Sequence, residues 1–326
     1  MIAGEEFTIE VRGAFDDVED ISAVRYNSLG GAYGRPRGSE VRMSYRKSFL
    51  VEPGQKLRLS QIDPSSKEKR ETSETAPAEL EAVRQKLTRL QALLYAEHKH
   101  SLLIVLQAMD AGGKDGTVNH VFAAFNAQGT TVTGFKQPTP VERDHDFLWR
   151  VHPHVPGPGK VAIFNRSHYE DVLITRVHKL IDEATCKARY EQIRCFERGL
   201  ADNGTCILKF FLHISREEQL ARFAERLQDP ARNWKISESD YTERELWDDY
   251  IAAFQDAMEA TSTKHAPWFV IPANHKWARN LAVSRIVVES LEELDMAFPK
   301  PTVDLGDIAR RYHAAVQEQL SHATRS

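Results

Sequence analysis

Apolar positions recur along the chain in two different periods. Leu80, Val83, Leu87, Leu90 and Leu94 follow Thr75 and Pro77 at three-and-four spacing, which predicts an amphipathic helix with one core or interface stripe. From Ser101 the pattern changes. LLIVLQA is a continuous apolar run of strand length, and Val118, Val121, Phe122 and Phe125 mark the face of a following helix. TTVTGFK is the next strand candidate, and Thr139, Pro140 and Glu142 stand in register as N-cap, first-turn proline and capping-box glutamate. KVAIF (Lys160 to Phe164) and CILKFFLHI (Cys206 to Ile214) predict two more buried strands. Ser215 with Glu218 caps a helix whose stripe is Leu220, Phe223 and Leu227. Thr242 with Glu245 opens another helix, and Trp268 to Ile271 predicts a short strand before a final helical region. Strands alternating with helices define an α/β protein with a mainly parallel sheet covered on both faces.

Two segments lack either period. Gly30, Gly31, Gly34 and Gly38 sit in an N-terminal stretch of polar residues with no assignable role, and Ser60 to Glu74 reads as a polar surface loop. The expected organisation is an N-terminal extension over 1–48, a segment with the first helix over 49–99, and a core over 100–300. A lid falls at about 215–245 of that core, and a C-terminal helix covers 301–326.

Composition narrows the class. Of the 326 residues, 41% are hydrophobic and 28% charged, an ordinary globular balance that excludes a disordered chain. No apolar run reaches the roughly 20 residues of a membrane span, and the start MIAGEEFTIE lacks a signal-peptide pattern, so the expected location is the cytoplasm. A net charge of −4 points to no nucleic-acid partner. Cys186, Cys195 and Cys206 form neither a disulfide framework nor a metal pattern and read as small buried hydrophobes. His98 with His100 and His152 with His154 lack neighbouring cysteines, which argues against zinc; His213, inside an apolar strand, reads as a satisfied core residue.

Candidate chemistry concentrates in three places. LLIVLQAMDAGGKDGTV carries a buried strand through Asp110, Ala111, Gly112, Gly113 and Lys114 into a helix that begins Asp115, Gly116, Thr117. Glycines there let backbone N–H groups approach a phosphate, the helix N-terminus favours negative charge, and the lysine adds a point charge. Against the P-loop pattern GxxxxGK[ST], Ala108 replaces the first glycine and Asp115 the hydroxyl. Asp110 and Asp115 beside the lysine suit Mg²⁺. In VAIFNRSHYEDVL, a strand ends in Asn165 and Arg166, followed by Glu170 and Asp171, at the crevice end of a parallel strand. An amide stands where a Walker-B aspartate is expected, so a metal carboxylate would come from Asp110 or Glu170; alternatively Glu170 and Asp171 only begin a helix. Third, Arg222, Arg226, Arg232 and Lys235 flank the Asp229-Pro230 break. Arg222 and Arg226 share a helix face, which suits a mobile lid that clamps phosphates.

The blocks AMDAGGKDGT, FKQPTPVERDHDFLWR, FNRSHYEDVL, DPARNWK and STKHAPWFVIPANHKWARN closely resemble the polyphosphate kinase 2 family in order and spacing, from about Phe49 to Leu294. The resemblance implies a three-layer α/β/α P-loop NTPase-like fold with a helical lid. It also implies a Mg²⁺-dependent, reversible transfer of phosphoryl groups between inorganic polyphosphate and adenine or guanine nucleotides. The family's Walker-A aspartate, glycine and lysine fall on Asp110, Gly113 and Lys114, its Walker-B block on Asn165 and Arg166, and its lid cations on Arg222, Arg226, Arg232 and Lys235. Gly112 replaces a more usual alanine, a change expected to matter little. Asn165 followed by His168, Tyr169, Glu170 and Asp171 resembles the subgroup that phosphorylates nucleoside monophosphates as well as diphosphates. In that reading Asp110, Lys114 and Arg166 are catalytic, with Asp110 and Glu170 holding the metal, and a homo-oligomer is the expected assembly. A binding regulator without turnover and an ATP-dependent nucleotide kinase are the competing classes.

Overall fold

The computed structural model describes residues 44–67 and 72–323. Gly30, Gly31, Gly34 and Gly38 lie outside them, as do the first 43 residues of the N-terminal extension and positions 68–71 of the polar loop. The helices are α1 (Tyr45–Phe49), α2 (Ala76–Glu97), α3 (Lys114–Val121), α4 (Pro140–Arg143), α5 (Ile174–Val177) and α6 (Glu183–Asp202). They continue with α7 (Arg216–Gln228), α8 (Ser239–Glu245), α9 (Trp247–Thr261), α10 (Lys276–Glu292) and α11 (Leu305–Ala323). The strands are β1 (Ser101–Ala108), β2 (Thr130–Thr133), β3 (Val161–Asn165), β4 (Thr205–His213) and β5 (Trp268–Pro272). No described helix is long and apolar enough to cross a membrane.

All five strands pair in parallel, in the order β2-β3-β1-β4-β5. Every residue of β1 is buried, as a central strand covered on both faces requires. Helices α2, α3 and α10 pack together on one side, and α5, α6 and α9 on the other. Phe211 of β4 meets Phe254 of α9 with ring centroids 4.5 Å apart. Most of α10 is buried, including the polar Arg279, Asn280, Ser284 and Ser290 beside its apolar residues. The order places β3 and β4 on either side of β1, so the turns leaving β1 and β3 open onto the same crevice at the carboxyl ends of the strands.

Several local expectations change. The second strand stops at Thr133 because β2 is a half-exposed edge paired on one side only. Helix α3 ends at Val121, and Phe122–Ala124 tightens into a 3-10 turn before Phe125. Thr75 precedes α2 but makes no cap bond with its side chain, whereas Ser215 does cap α7 and Thr139 with Glu142 forms a complete capping box. Thr242 lies inside α8, which starts at Ser239 after Asp240 Oδ2 accepts from the Ser237 N–H at 3.2 Å. Leu220 and Leu227 are exposed; α7 turns Gln219, Arg222 and Phe223 inward instead. Of the cysteines Cys186 is buried, Cys206 is half-buried and Cys195 faces solvent from the outer side of α6. His213 is buried and burial pushes its pKa down, but its Nδ1 has no hydrogen-bond partner. His100 pairs with Glu97, while His152 and His154 pack edge-on against Phe196 and Phe135.

Candidate active site

The loop between β1 and α3 is folded tightly. Ala111 and Gly113 have φ of 57° and 101°, left-handed values that a glycine adopts freely and an alanine adopts at some cost. The Gly112 N–H donates to Met109 O at 2.9 Å. A Cβ at position 112 would fall 2.4 Å from Ala108 Cβ and 2.8 Å from Met109 O. Ala108 and Gly112 therefore interlock, and an alanine at 112 could enter only if the loop opened. The expectation that this position matters little is corrected on that ground.

Lys114, the first residue of α3, folds back so that Nζ donates to Ala108 O at 2.9 Å. Burial pushes its pKa down, opposed first by the charge of Asp110. Asp115 takes a different role from the hydroxyl it replaces. Its Oδ1 accepts from Asn165 Nδ2 at 2.8 Å and its Oδ2 from Lys235 Nζ at 2.9 Å. Burial alone would raise its carboxyl, but the bonds from Lys235 and Asn165 outweigh that and hold it below the usual carboxylate range. Gly116 and Thr117 are turned elsewhere. A Cβ on Gly116 would lie 3.1 Å from Arg279 Nη2, and the buried Thr117 donates its hydroxyl to Gly113 O within the helix.

At the end of β3, Arg166 has φ of 68°, its N–H bonds Leu106 O, and its Nη2 pairs with Asp110 Oδ1 at 3.0 Å. Ser167 caps the turn His168–Asp171 by accepting from the Tyr169 N–H, and also accepts from Gln107 Nε2 of β1 at 3.2 Å. That turn presents Glu170 beside Arg166. Burial pushes the Glu170 carboxyl up, opposed first by Arg166 and then by Lys114. Asp171 points away and pairs with the buried Arg150 at 3.2 Å.

Asp110, Arg166 and Glu170 line a cleft of about 240 Å³ together with Gln219, Ser237, Asp240, Glu243 and Arg244. Lys114, Asp115 and Asn165 stand beside its lining. The four expected lid cations divide. Arg222 is 5% exposed and spends its donors on Glu218 Oε1, Ala111 O, Ala273 O and Asn274 O, so it braces the phosphate loop and is no free clamp. Arg226 donates to Lys235 O and lies 3.8 Å from Asp240, while Arg232 pairs with Asp229 and remains exposed. Lys235 alone of the four reaches the phosphate loop through a side-chain ion pair. Gln219, Asp240, Glu243, Arg244 and Arg279 were not singled out by the sequence pattern. An arginine next to the apolar run of α10 was the available signal for the last.

A strand-loop-helix turn with a retracted lysine and facing carboxylates has the form of a phosphate-binding loop of the P-loop phosphotransferase class. Residues 52–299 match the family model of polyphosphate kinase 2, and the chain belongs to that family. It is 50% identical over 256 residues to an AMP/ADP-polyphosphate phosphotransferase of Meiothermus ruber, covering 78% of this chain and 96% of that protein. It is 41% identical over 272 residues to an ADP-polyphosphate phosphotransferase of Rhodopseudomonas palustris, covering 78% and 93%. The crystal structure of polyphosphate kinase 2 from Arthrobacter aurescens TC1 superposes with a TM-score of 0.80 at 41% identity, covering 86% of this chain and 99% of that one.

Proposed function

We propose that this enzyme transfers phosphoryl groups reversibly between inorganic polyphosphate and adenine nucleotides, taking AMP to ADP and ADP to ATP. The observation that carries the reading is the convergence of Lys114, the Asp110–Arg166 pair and Glu170 on one crevice at the phosphate loop. Phosphoryl transfer asks a protein mainly for position and charge compensation, because the transition state is loose and its charge spreads over the equatorial oxygens. Loop N–H groups and Lys114 hold the transferring group, with Nζ leaving the carbonyls of Ala108 and Met109 to meet phosphate oxygens. Arg166 neutralises developing charge. The acceptor oxygen is itself an anion, so no strong general base is required.

Asp110 and Glu170 fit a Mg²⁺ ion, since Mg²⁺ is commonly held by one or two carboxylates together with substrate phosphates. When bound, it would neutralise charge on the donor and acceptor phosphates. Asn165 contributes an amide to Asp115 and no carboxylate of its own. The deciding experiment incubates the protein with Mg²⁺, long-chain polyphosphate and ADP or AMP, without ATP. Formation of ATP and ADP is expected. Binding of both substrates with no product would reveal a regulator, and turnover of AMP with ATP alone would reveal an ordinary nucleotide kinase.

A monophosphate must bring its only phosphate to the loop, which draws its nucleoside one phosphate closer to the Glu170 turn than a diphosphate's. Glu170→Gln is therefore expected to lower kcat/KM for AMP by about tenfold, near 1.4 kcal/mol, and for ADP by much less. The pH profile gives an independent reading. Because burial raises the Glu170 carboxyl, the charged form is lost as pH falls at a higher pH than for an ordinary glutamate. The acidic limb for AMP should shift or vanish in Glu170→Gln. Equal losses for AMP and ADP would make Glu170 a general residue of the site.

A further inference from the structure

Arg279 has no place in the chemistry above, yet it is only 2% exposed and its guanidinium lies against the phosphate loop. A Cβ on Gly113 would fall 2.0 Å from its Nη1, and one on Gly116 would fall 3.1 Å from its Nη2. Nε and Nη2 both donate to Asn280 Oδ1, at 3.1 and 2.8 Å. Among the described residues Nη1 has no acceptor and the side chain forms no ion pair. The like charge of Arg222, itself buried and also beside Gly113, acts against it. Burial, reinforced by Arg222, pushes its pKa down to about 10, so it remains a cation at neutral pH. Buried charges in proteins are ordinarily paired. Here the free edge faces the N-terminal turn of α3, where backbone N–H groups and the helix dipole also favour an anion.

The position also says which anion. The nucleotide cleft is walled by Leu173, Ile174, Tyr250 and Phe254, from the side of the sheet that carries α5 and α9. Arg279 belongs to α10, which packs with α2 and α3 on the other side. In-line transfer puts donor and acceptor on opposite sides of the moving phosphoryl group. Resting on the functional reading above, we infer that Arg279 binds the phosphoryl donor, its Nη1 edge holding a non-bridging oxygen of the polyphosphate beside Gly113. The donor chain then leaves the loop along the start of α10, opposite the nucleotide.

Arg279→Met keeps the length and apolar packing of the side chain and removes the charge. With inorganic tripolyphosphate and long-chain polyphosphate as donors, the donor KM is expected to rise about tenfold or more, while the KM for ADP stays within about twofold. Tripolyphosphate alone should raise the melting temperature of the wild type and not of the variant. Arg279→Lys, which keeps charge but not the planar fork, should recover part of the donor affinity. If Arg279→Met does not fold, Gly116→Ala crowds Nη2 without touching the charge and should raise the donor KM more than the ADP KM. A folded variant with unchanged donor KM, or with equal losses for donor and ADP, overturns the inference. Absence of polyphosphate-dependent turnover in the wild type would instead overturn the functional reading.

Discussion

Lys114→Ala should lower kcat with polyphosphate and ADP by about 10²–10³, the usual cost of removing one preorganised charge from a transition state. The fold should tolerate the change. Among the described residues Nζ donates only to the carbonyls of Ala108 and Met109, burial already penalises its charge, and Arg166 still faces Asp110 and Glu170 once it is gone. Circular dichroism and the melting temperature should therefore match the wild type while turnover collapses. Lys114→Arg tests geometry separately, because a guanidinium cannot curl onto two loop carbonyls and still reach a phosphate as a point charge. Near-normal turnover in a folded Lys114→Ala protein would remove the loop from the chemistry and with it the proposed mechanism.

The elements legible in the sequence were those whose signal is local. Continuous apolar runs gave β1, β3, β4 and β5, and the Thr139 and Ser215 caps gave two helix starts, because capping is settled within four residues. The phosphate loop was legible for the same reason: a strand, two glycines and a lysine lie in consecutive positions. What failed depended on partners distant in sequence. Leu220 and Leu227 have the spacing of a core stripe, but α7 is oriented by Gln219 donating to Asp110 O and Arg222 to Ala111 O, so polar residues take the inward face. Same-face spacing grouped Arg222 with Arg226 as free cations and could not register that loop carbonyls already consume the donors of the first. Gly112 shows the converse. Its requirement comes from Ala108, the residue standing where the usual motif has its first glycine, and only the folded loop brings the two into contact.

The largest expected loss of stability lies behind the site, at a fully buried charge. Lys209 of β4 is 0% exposed and donates to Glu197 Oε2 at 2.6 Å, Tyr169 OH at 2.9 Å and Thr261 O at 2.9 Å. Glu197 is equally buried and also accepts from Tyr169 OH at 2.9 Å. Burial alone would raise the Glu197 carboxyl, but Lys209 and then His168 outweigh it and hold the group below the ordinary carboxylate range. Lys209→Met strands that carboxylate without its cation and should cost about 3–5 kcal/mol in denaturant unfolding at pH 7. The double variant Lys209→Met, Glu197→Gln should recover much of this, since no unpaired charge is left. The pH dependence has a definite sign. In the wild type Glu197 is depressed in the folded state, so its contribution is present above the unfolded pKa and is lost as pH falls through the folded value. In Lys209→Met the carboxyl should be raised instead, so folding favours its protonated form below the unfolded pKa and loses that benefit as pH rises. The stability gap between the two proteins should therefore narrow as pH falls from 7 toward 4. Tyr169 adjoins Glu170, so loss of this anchor should also weaken AMP use before ADP use in the variant that still folds. A gap below about 1 kcal/mol that does not change with pH would show that the pair carries no net stabilisation.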